Sequence, residues 1–168
     1  MEDATAYIAL GANLGDRAAV LMRAAKMIDD VPGIEVRRIS SLYDTDPVGG
    51  PEGQPMYCNG VVEVRTSLAP AGLLEALQGI EAELGRDRTR EQRFGPRTCD
   101  LDILMMGRTV LQTEALTIPH PRMCRRAFVL VPLVEIAPDA VHPVTGKTTK
   151  DLLAELCGCA RPGGTAQT

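Results

Sequence analysis

Two aspartates separated by a single residue carry the strongest chemical signal in this 168-residue chain. Asp100 and Asp102 lie in an apolar run typical of a β-strand, where residues two apart project to the same face. Adjacent carboxylates repel each other unless a cation lies between them, and Mg²⁺ commonly takes one or two carboxylates and completes its octahedron with water and phosphate oxygens. The spacing therefore predicts a metal site, although the same pattern also occurs on the solvated face of an edge strand.

A cluster of basic residues directly precedes this strand. Five arginines fall within residues 86–97, although the whole chain has a net charge of -4. They are Arg86, Arg88, Arg90, Arg93 and Arg97. Guanidinium groups grip phosphate oxygens with paired donors and can stabilise charge on a transferring phosphoryl group. The segment predicts a small anionic ligand, while a solvated loop is the alternative; the acidic balance argues against a general nucleic-acid binder.

The elements that must position these groups follow from hydrophobic periodicity and from helix and turn signals. We predict strands over Thr5–Leu10, Ile34–Tyr43, Met56–Arg65 and Cys99–Met106. The first helix should begin at the cap residue Asp16, end near Asp30 and bury Val20, Ala24, Met27 and Val31. The second should begin at Pro70, bury Leu73, Leu77, Ile80 and Leu84, and stop at Gly85.

The resulting order, β-α-β-β-α-β, predicts an α+β fold with ferredoxin-like topology, in which two helices pack on one face of an antiparallel sheet. A C-terminal extension should add turns and two short helices, near residues 125–131 and 149–156. We expect one domain over residues 1–160 and a disordered tail over 161–168. Residues 44–55, rich in proline and glycine, should form a long loop that closes over ligands, as should 86–97.

The remaining composition points to a cytoplasmic protein with reduced thiols. The N-terminus lacks a basic segment followed by an apolar stretch, and no apolar run approaches the roughly 20 residues that span a bilayer. The five cysteines show no zinc-ligand spacing. We expect no membrane or nucleic-acid partner, and a monomer.

The run Arg-Phe-Gly-Pro-Arg-Thr-Cys-Asp-Leu-Asp-Ile-Leu over residues 93–104 resembles the signature of the 6-hydroxymethyl-7,8-dihydropterin pyrophosphokinases of folate biosynthesis. Shorter matches occur in the same order over residues 11–16, 41–43, 55–59, 119–121 and 126–128. The resemblance covers about residues 5–157. It implies the ferredoxin-like sheet, ATP as co-substrate, and transfer of a pyrophosphoryl group from ATP to the pterin alcohol with release of AMP.

The resemblance also implies roles for individual residues. Asp100 and Asp102 match positions that hold two Mg²⁺ ions. Positions in the catalytic set are matched by Arg86, Arg97, Asp100, Asp102 and Arg126. Positions on the ATP side are matched by Glu81, Arg88, Arg97, Ile103, Thr117 and His120. Arg90 is the alternative to Arg88, because this loop is one residue longer than in some relatives.

The resemblance further implies a site for the pterin ring. Its positions are matched by Thr45, Val48, Tyr57, Asn59 and Phe128. Tyr57 and Phe128 would sandwich the ring, and the Asn59 amide offers both a donor and an acceptor to the polar ring edge. Taken without the resemblance, Phe128 is better interpreted as a core residue and Asn59 as an amide that supports a turn.

Other functions compete with this interpretation. A non-catalytic ferredoxin-like domain could bind a small molecule and regulate a partner. A two-metal phosphohydrolase or nuclease would usually need more converging carboxylates or histidines. A P-loop is not predicted at Thr145-Gly146-Lys147-Thr148, since position 141 is valine and Pro143 interrupts the motif, so we predict a turn there. No strong general base is expected in the segments that would bind the pterin.

Overall fold

The computed structural model describes residues 2–47, 49–86, 89 and 99–158. The main sheet contains β1 (Ala4–Ala12), β2 (Ile34–Ile39), β3 (Tyr43–Thr45), β4 (Tyr57–Thr66) and β5 (Asp100–Met106). A small hairpin consists of β6 (Leu111–Gln112) and β7 (Thr117–Ile118). The helices are α1 (Arg17–Asp29), α2 (Pro70–Glu83), a 3-10 turn (Met123–Arg125), α3 (Ala127–Ile136) and α4 (Thr149–Gly158).

The strand order of the main sheet is β2-β4-β1-β5, with β3 also pairing with β4, and all of these pairs are antiparallel. With α1 between β1 and β2, and α2 between β4 and β5, the chain has the predicted ferredoxin-like β-α-β-β-α-β topology. The central strands are β1 and β4. The fold prediction is confirmed.

Alternating residues of the strands separate two apolar layers. Ile8, Leu101 and Ile103 pack with residues of α1 and α2 on one face. On the other face, Val61 and Leu104 pack with residues of α3 and α4. This second layer covers only part of its face, since the sheet positions nearer the start of β5 carry polar residues instead.

A register shift in the β1–β5 pairing separates the polar and apolar parts of β5. The shift lies between Tyr7 and Ile8 of β1, where β5 carries one extra residue. Leu104 and Met105 consequently both contribute to the layer of α3 and α4, and Met106 returns to the layer of α1 and α2. A bulge of this kind re-aims side chains next to a site.

The helix signals in the sequence identified both long helices, but the buried face of α1 was predicted one residue out of place. Asp16 caps α1 by accepting a hydrogen bond from the Ala19 backbone N at 3.2 Å. Leu21 and Ile28 are fully buried with Ala24, whereas the predicted Val20, Met27 and Val31 are only partly buried. Because α1 is apolar over much of its circumference, packing decided its rotation.

The second predicted strand, Ile34–Tyr43, is wrong in extent. β2 ends at Ile39, and Ser40 turns inward so that its Oγ accepts a hydrogen bond from the Val61 backbone N at 2.9 Å. A new strand, β3, starts at Tyr43 and takes Asp44 and Thr45 out of the predicted loop. Apolar patterning could not distinguish this break from a continuous strand.

The C-terminal extension contains the two predicted helices, in the form of α3 and α4, together with the β6–β7 hairpin, which was not predicted. The segment at Gly146, where φ is +70°, is a turn closed by the bridge between Val141 and Thr148, which confirms that prediction. No described helix combines the length and apolar character needed to cross a membrane.

Candidate active site

A cleft of about 830 Å³ lies over the polar part of the sheet, bordered by the 3-10 turn and the start of α3. Its lining brings together residues from β3, β4, β5 and the segment after β7. The predicted site residues among them are Thr45, Tyr57, Asn59, Asp100, Asp102, His120, Arg126 and Phe128. Residues more than 80 positions apart in the chain, such as Thr45 and Phe128, thus share one concave surface, which is the usual form of a ligand site.

The two aspartates lie on the cleft face of β5, as the strand period predicts. Asp100 is paired across the sheet with Gly11, and Asp102 with Ala9. Gly11 is paired in turn with Asn59 of β4. Small residues at the middle strand leave open space between the carboxylates and Asn59, so that a ligand can lie across the sheet.

The carboxylate pair holds more negative charge than its surroundings neutralise. Burial, followed by the negative charges of Asp100 and Glu81, raises the pKa of Asp102 to about 7, while the positive charges of Arg126 and Arg86 act in the opposite direction. A bound cation would relieve this repulsion. Among the described residues there is no group of three or more His, Cys, Asp or Glu side chains suited to a metal. Two carboxylates in an open cleft suit Mg²⁺ sharing phosphate oxygens, and do not suit a closed zinc site.

Two predicted residues lie beneath Asp100 and do not line the cleft. Arg86 Nη1 is 2.6 Å from Asp100 Oδ1 and 2.6 Å from Glu81 Oε1. Glu81 Oε1 also accepts a hydrogen bond from the Leu101 backbone N at 2.8 Å. The Arg86 side chain is only 4% exposed. In this conformation Arg86 therefore acts on the site through Asp100.

His120 is held in one orientation at the edge of the cleft. Its backbone N donates to Leu104 O at 2.8 Å, and its Nδ1 accepts from the Arg122 backbone N at 3.1 Å. Burial, with help from the positive charges of Arg126 and Arg122, lowers the pKa of His120 to about 4. A neutral imidazole that accepts at Nδ1 carries its proton on Nε2, so His120 can donate one hydrogen bond to an anionic ligand.

The β4 and α3 side of the cleft carries its aromatic side chains. Tyr57 and Phe128 are half-buried, and Asn59 is buried with its Nδ2 donating to Thr45 Oγ1 at 2.5 Å. The Arg126 guanidinium lies 5.4 Å from the centre of the Phe128 ring, within the range of a cation–π contact. These features suit a flat ring with a polar edge.

The loop between β3 and β4 is tied to the turn after β1. Arg17 Nη1 donates to the Met56 carbonyl at 2.7 Å and lies 3.1 Å from Asp44 Oδ1. The buried Asn13 donates to Gln54 Oε1 at 3.2 Å. Asn13 thus helps to hold the loop beside Tyr57.

Two other predicted residues do not line the cleft, and four lie outside the described residues. The Ile103 side chain is buried in the layer of α1 and α2, on the opposite face from the aspartates. Thr117 is in β7. The residues outside the described part of the chain are Val48, Arg88, its alternative Arg90, and Arg97.

The cleft also contains polar residues that the sequence analysis did not assign. Asp46, Arg122 and Arg125 line it. The signal that could have identified two of them is the concentration of arginines over residues 122–126, directly after His120. Nothing in the pattern alone separates these cations from a solvated surface.

Comparison with known proteins gives consistent matches. The model of the family described as 7,8-dihydro-6-hydroxymethylpterin-pyrophosphokinase (HPPK) matches residues 7–138. The chain is 50% identical over 144 residues to a 2-amino-4-hydroxy-6-hydroxymethyldihydropteridine pyrophosphokinase of Bacillus subtilis, covering 86% of this chain and 84% of that protein. It is 49% identical over 139 residues to the Haemophilus influenzae protein of the same name, covering 83% and 85%.

A likeness in structure extends to a longer protein. The Plasmodium falciparum HPPK-DHPS, solved with pterin and p-hydroxybenzoate, superposes with a TM-score of 0.72 over 94% of this chain and 44% of that one. The sequence identity is 16%, so this match shows a shared fold.

Proposed function

The chain belongs to the 7,8-dihydro-6-hydroxymethylpterin-pyrophosphokinase family, and on this premise we propose that it pyrophosphorylates 6-hydroxymethyl-7,8-dihydropterin in its cleft. It is an ATP-dependent diphosphokinase of folate biosynthesis. One observation carries the assignment of the site: the Asp100–Asp102 pair and the group of Tyr57, Asn59 and Phe128 line the same cleft. The cleft can thus hold the charged pyrophosphoryl donor, ATP, beside the flat acceptor, the pterin.

In the proposed reaction, the hydroxymethyl oxygen of the pterin forms a bond to the β-phosphorus of ATP. The bond between that phosphorus and the α,β-bridging oxygen breaks, and AMP leaves with the bridging oxygen. The hydroxyl proton passes to solvent. Positioning and electrostatic stabilisation account for transfers of this kind, so no strong general base is required at the alcohol.

Asp100 and Asp102 would hold two Mg²⁺ ions, whose chemistry is to neutralise the charge on the phosphate oxygens. Around them, His120 would donate from Nε2 to a phosphate oxygen, and Arg126 would place its positive charge near the transferring group. Arg88 and Arg97 complete the proposed set of phosphate contacts. Burial and the neighbouring negative charges of Asp100 and Glu81 together raise the pKa of Asp102, and a bound cation would offset both, which supports the cation site.

The pterin would lie between the faces of Tyr57 and Phe128. Asn59 would form hydrogen bonds with the polar edge of the pterin, and the hydrogen bond to Thr45 would orient the Asn59 amide. Val48 is proposed as a further contact to the ring. The Arg126–Phe128 contact joins this end of the cleft to the phosphate end.

The ATP side of the proposal includes three residues outside the cleft lining. Glu81 would influence the nucleotide site indirectly, through its contacts with Arg86 and with the Leu101 backbone N. Ile103 faces the core with its side chain, so its main chain is the part available to a nucleotide. Thr117 is proposed on the nucleotide side from the hairpin. We further propose that the enzyme works as a cytoplasmic monomer.

The decisive experiment is to incubate the protein with ATP, Mg²⁺ and 6-hydroxymethyl-7,8-dihydropterin and to identify the nucleotide product. We expect AMP in amounts equal to the pterin diphosphate, and no AMP when the pterin is omitted. ADP, or phosphate released without pterin, would point to a phosphohydrolase. Binding without turnover would point to a regulatory domain, and either result would overturn the proposal.

A further inference from the structure

The end of α2 fixes the backbone of Arg86 against the last turn of that helix. The Arg86 backbone N donates to Glu81 O at 3.0 Å, and the Gly85 backbone N donates to Ala82 O at 3.1 Å. Gly85 has a φ of +91°, a conformation that glycine adopts without strain. This pair of bonds is a Schellman motif, which directs the residue after the glycine back towards the helix.

The side chains of the same two residues form a buried bridge to β5. Arg86 Nη1 lies 2.6 Å from both Glu81 Oε1 and Asp100 Oδ1, and Glu81 Oε1 also accepts from the Leu101 backbone N. The side chains of Arg86 and Glu81 are 4% and 2% exposed, whereas Asp100 is 23% exposed. The Glu81 carboxylate of α2 therefore holds both the Arg86 guanidinium and the backbone N–H of Leu101, the residue between the two aspartates.

The charges of this cluster suit a divalent cation. Glu81, Asp100 and Asp102 contribute three negative charges and Arg86 one positive charge, so these four side chains sum to -2 when all are ionised. Arg86 nevertheless occupies Oδ1 of Asp100, an oxygen that a metal ion could use. A cation that binds Asp100 must compete with the guanidinium, and Glu81 is a second acceptor already in contact with it.

We propose that Arg86 is a resident counter-ion of Asp100 that a divalent cation displaces, and that Glu81 retains the guanidinium when this happens. The inference rests on the proposed function, because it takes the Asp100–Asp102 pair to be the cation site. Glu81 is then a positioning residue that increases the affinity for the cation by holding Arg86. Arg86 raises the cation concentration at which the site fills. The two residues should act as a coupled pair.

Mn²⁺ binding, measured by electron paramagnetic resonance of the free ion with and without α,β-methylene-ATP, tests this inference without requiring turnover. Arg86→Gln should bind Mn²⁺ about tenfold more tightly than the wild type, since a positive charge close to the cation is removed. Glu81→Gln should bind it about tenfold more weakly, because Arg86 loses its charged contact with Glu81 and keeps the one with Asp100. In the Arg86→Gln background, the Glu81→Gln change should have a clearly smaller effect, which a double-mutant cycle measures.

Two further variants serve as controls. Arg86→Lys keeps the charge and should stay within about threefold of the wild type. Arg65→Gln removes an equal charge from an exposed pair with Asp3 and should leave Mn²⁺ binding unchanged. If Arg86→Gln does not fold, comparing the double variant with Glu81→Gln isolates the loss of Arg86, and the double variant should then bind Mn²⁺ more tightly.

The outcomes separate this inference from the proposed function. Unchanged or weaker Mn²⁺ binding in folded Arg86→Gln, or strictly additive effects in the cycle, would overturn the counter-ion role. An equal gain in Arg65→Gln would do the same, because it would reveal a general charge effect. If Asp102→Asn binds Mn²⁺ as tightly as the wild type, the aspartate pair is not the cation site, and the proposed function loses its metal centre.

Discussion

The two ends of the cleft differ in the means by which they can recognise a ligand. At the β5 end, Asp100, Asp102 and His120 present charge and a directed donor, and buried groups beneath them set the electrostatics. At the β4 end, Tyr57 and Phe128 present apolar faces. Substitutions at the charged end should therefore lower the rate of the chemical step, whereas substitutions at the aromatic end should weaken binding of the pterin.

The largest effect is expected from Asp102→Asn, which removes one carboxylate and little volume. Loss of a cation ligand should lower kcat for AMP formation by about 10³-fold or more. The fold should persist, because the neutral amide avoids the cost of burying a charge, and circular dichroism should be unchanged. Asp139→Asn, on the exposed turn after α3, is the control. A rate within tenfold of the wild type would show that Asp102 holds no essential metal.

In the absence of metal, the raised pKa of Asp102 should be visible in the way the free energy of unfolding depends on pH. A carboxyl group whose pKa is about 7 in the folded protein, and near 3.8 when unfolded, binds more protons in the folded state. In EDTA, the free energy of unfolding of the wild type should therefore gain about 1 to 3 kcal/mol relative to Asp102→Asn as the pH falls from 7 to 4. Urea unfolding at several pH values measures this difference. Parallel curves for the two proteins would contradict the raised pKa.

At the aromatic end, Phe128→Leu keeps apolar volume and removes the ring. We expect the KM for the pterin to rise about tenfold or more through lost stacking, with the KM for ATP nearly unchanged. Phe128→Tyr retains the ring face and is the matched control. A similar rise in both KM values would mean that the two ends of the cleft are not independent.

A smaller effect is expected from Thr45→Val, which removes the acceptor that orients the Asn59 amide. Loss of one hydrogen bond of this kind costs about 1 kcal/mol, so pterin affinity should fall about fivefold. Thr45→Ser keeps the hydroxyl and should bind normally. Isothermal titration with the pterin and a non-cleavable ATP analogue gives both affinities; equal values for the two variants would exclude this orienting role.

The smallest effect concerns the charge of His120. Its pKa of about 4 is held down by burial and then by Arg126, so Arg126→Gln should raise it by about half a unit to one unit. The chain has two histidines, and the pKa of His142 is lowered by burial alone. A nuclear magnetic resonance titration therefore contains its own reference. Movement of both signals together would indicate a global change in structure.

Much of the fold followed from local signals. The cap at Asp16, the stop at Gly85 and the alternation along β4 predicted elements whose topology the structure confirms. The boundary after Ile39 and the rotation of α1 were missed, because each depends on a partner distant in the chain: Val61 for Ser40, and the sheet for Leu21. Patterns of period 2 or 3.6 do not contain that information.

The sequence by itself determined that Asp100 and Asp102 share a strand face, because the side chains of a strand alternate with a period of two residues. It also determined the family, through motifs that follow one another in order. Only the tertiary structure decided that Arg86 folds back beneath Asp100 and not into the cleft, since that contact requires the end of α2 to lie against β5. The charge of a site depends on distances between side chains in space, and the chain order does not set those distances.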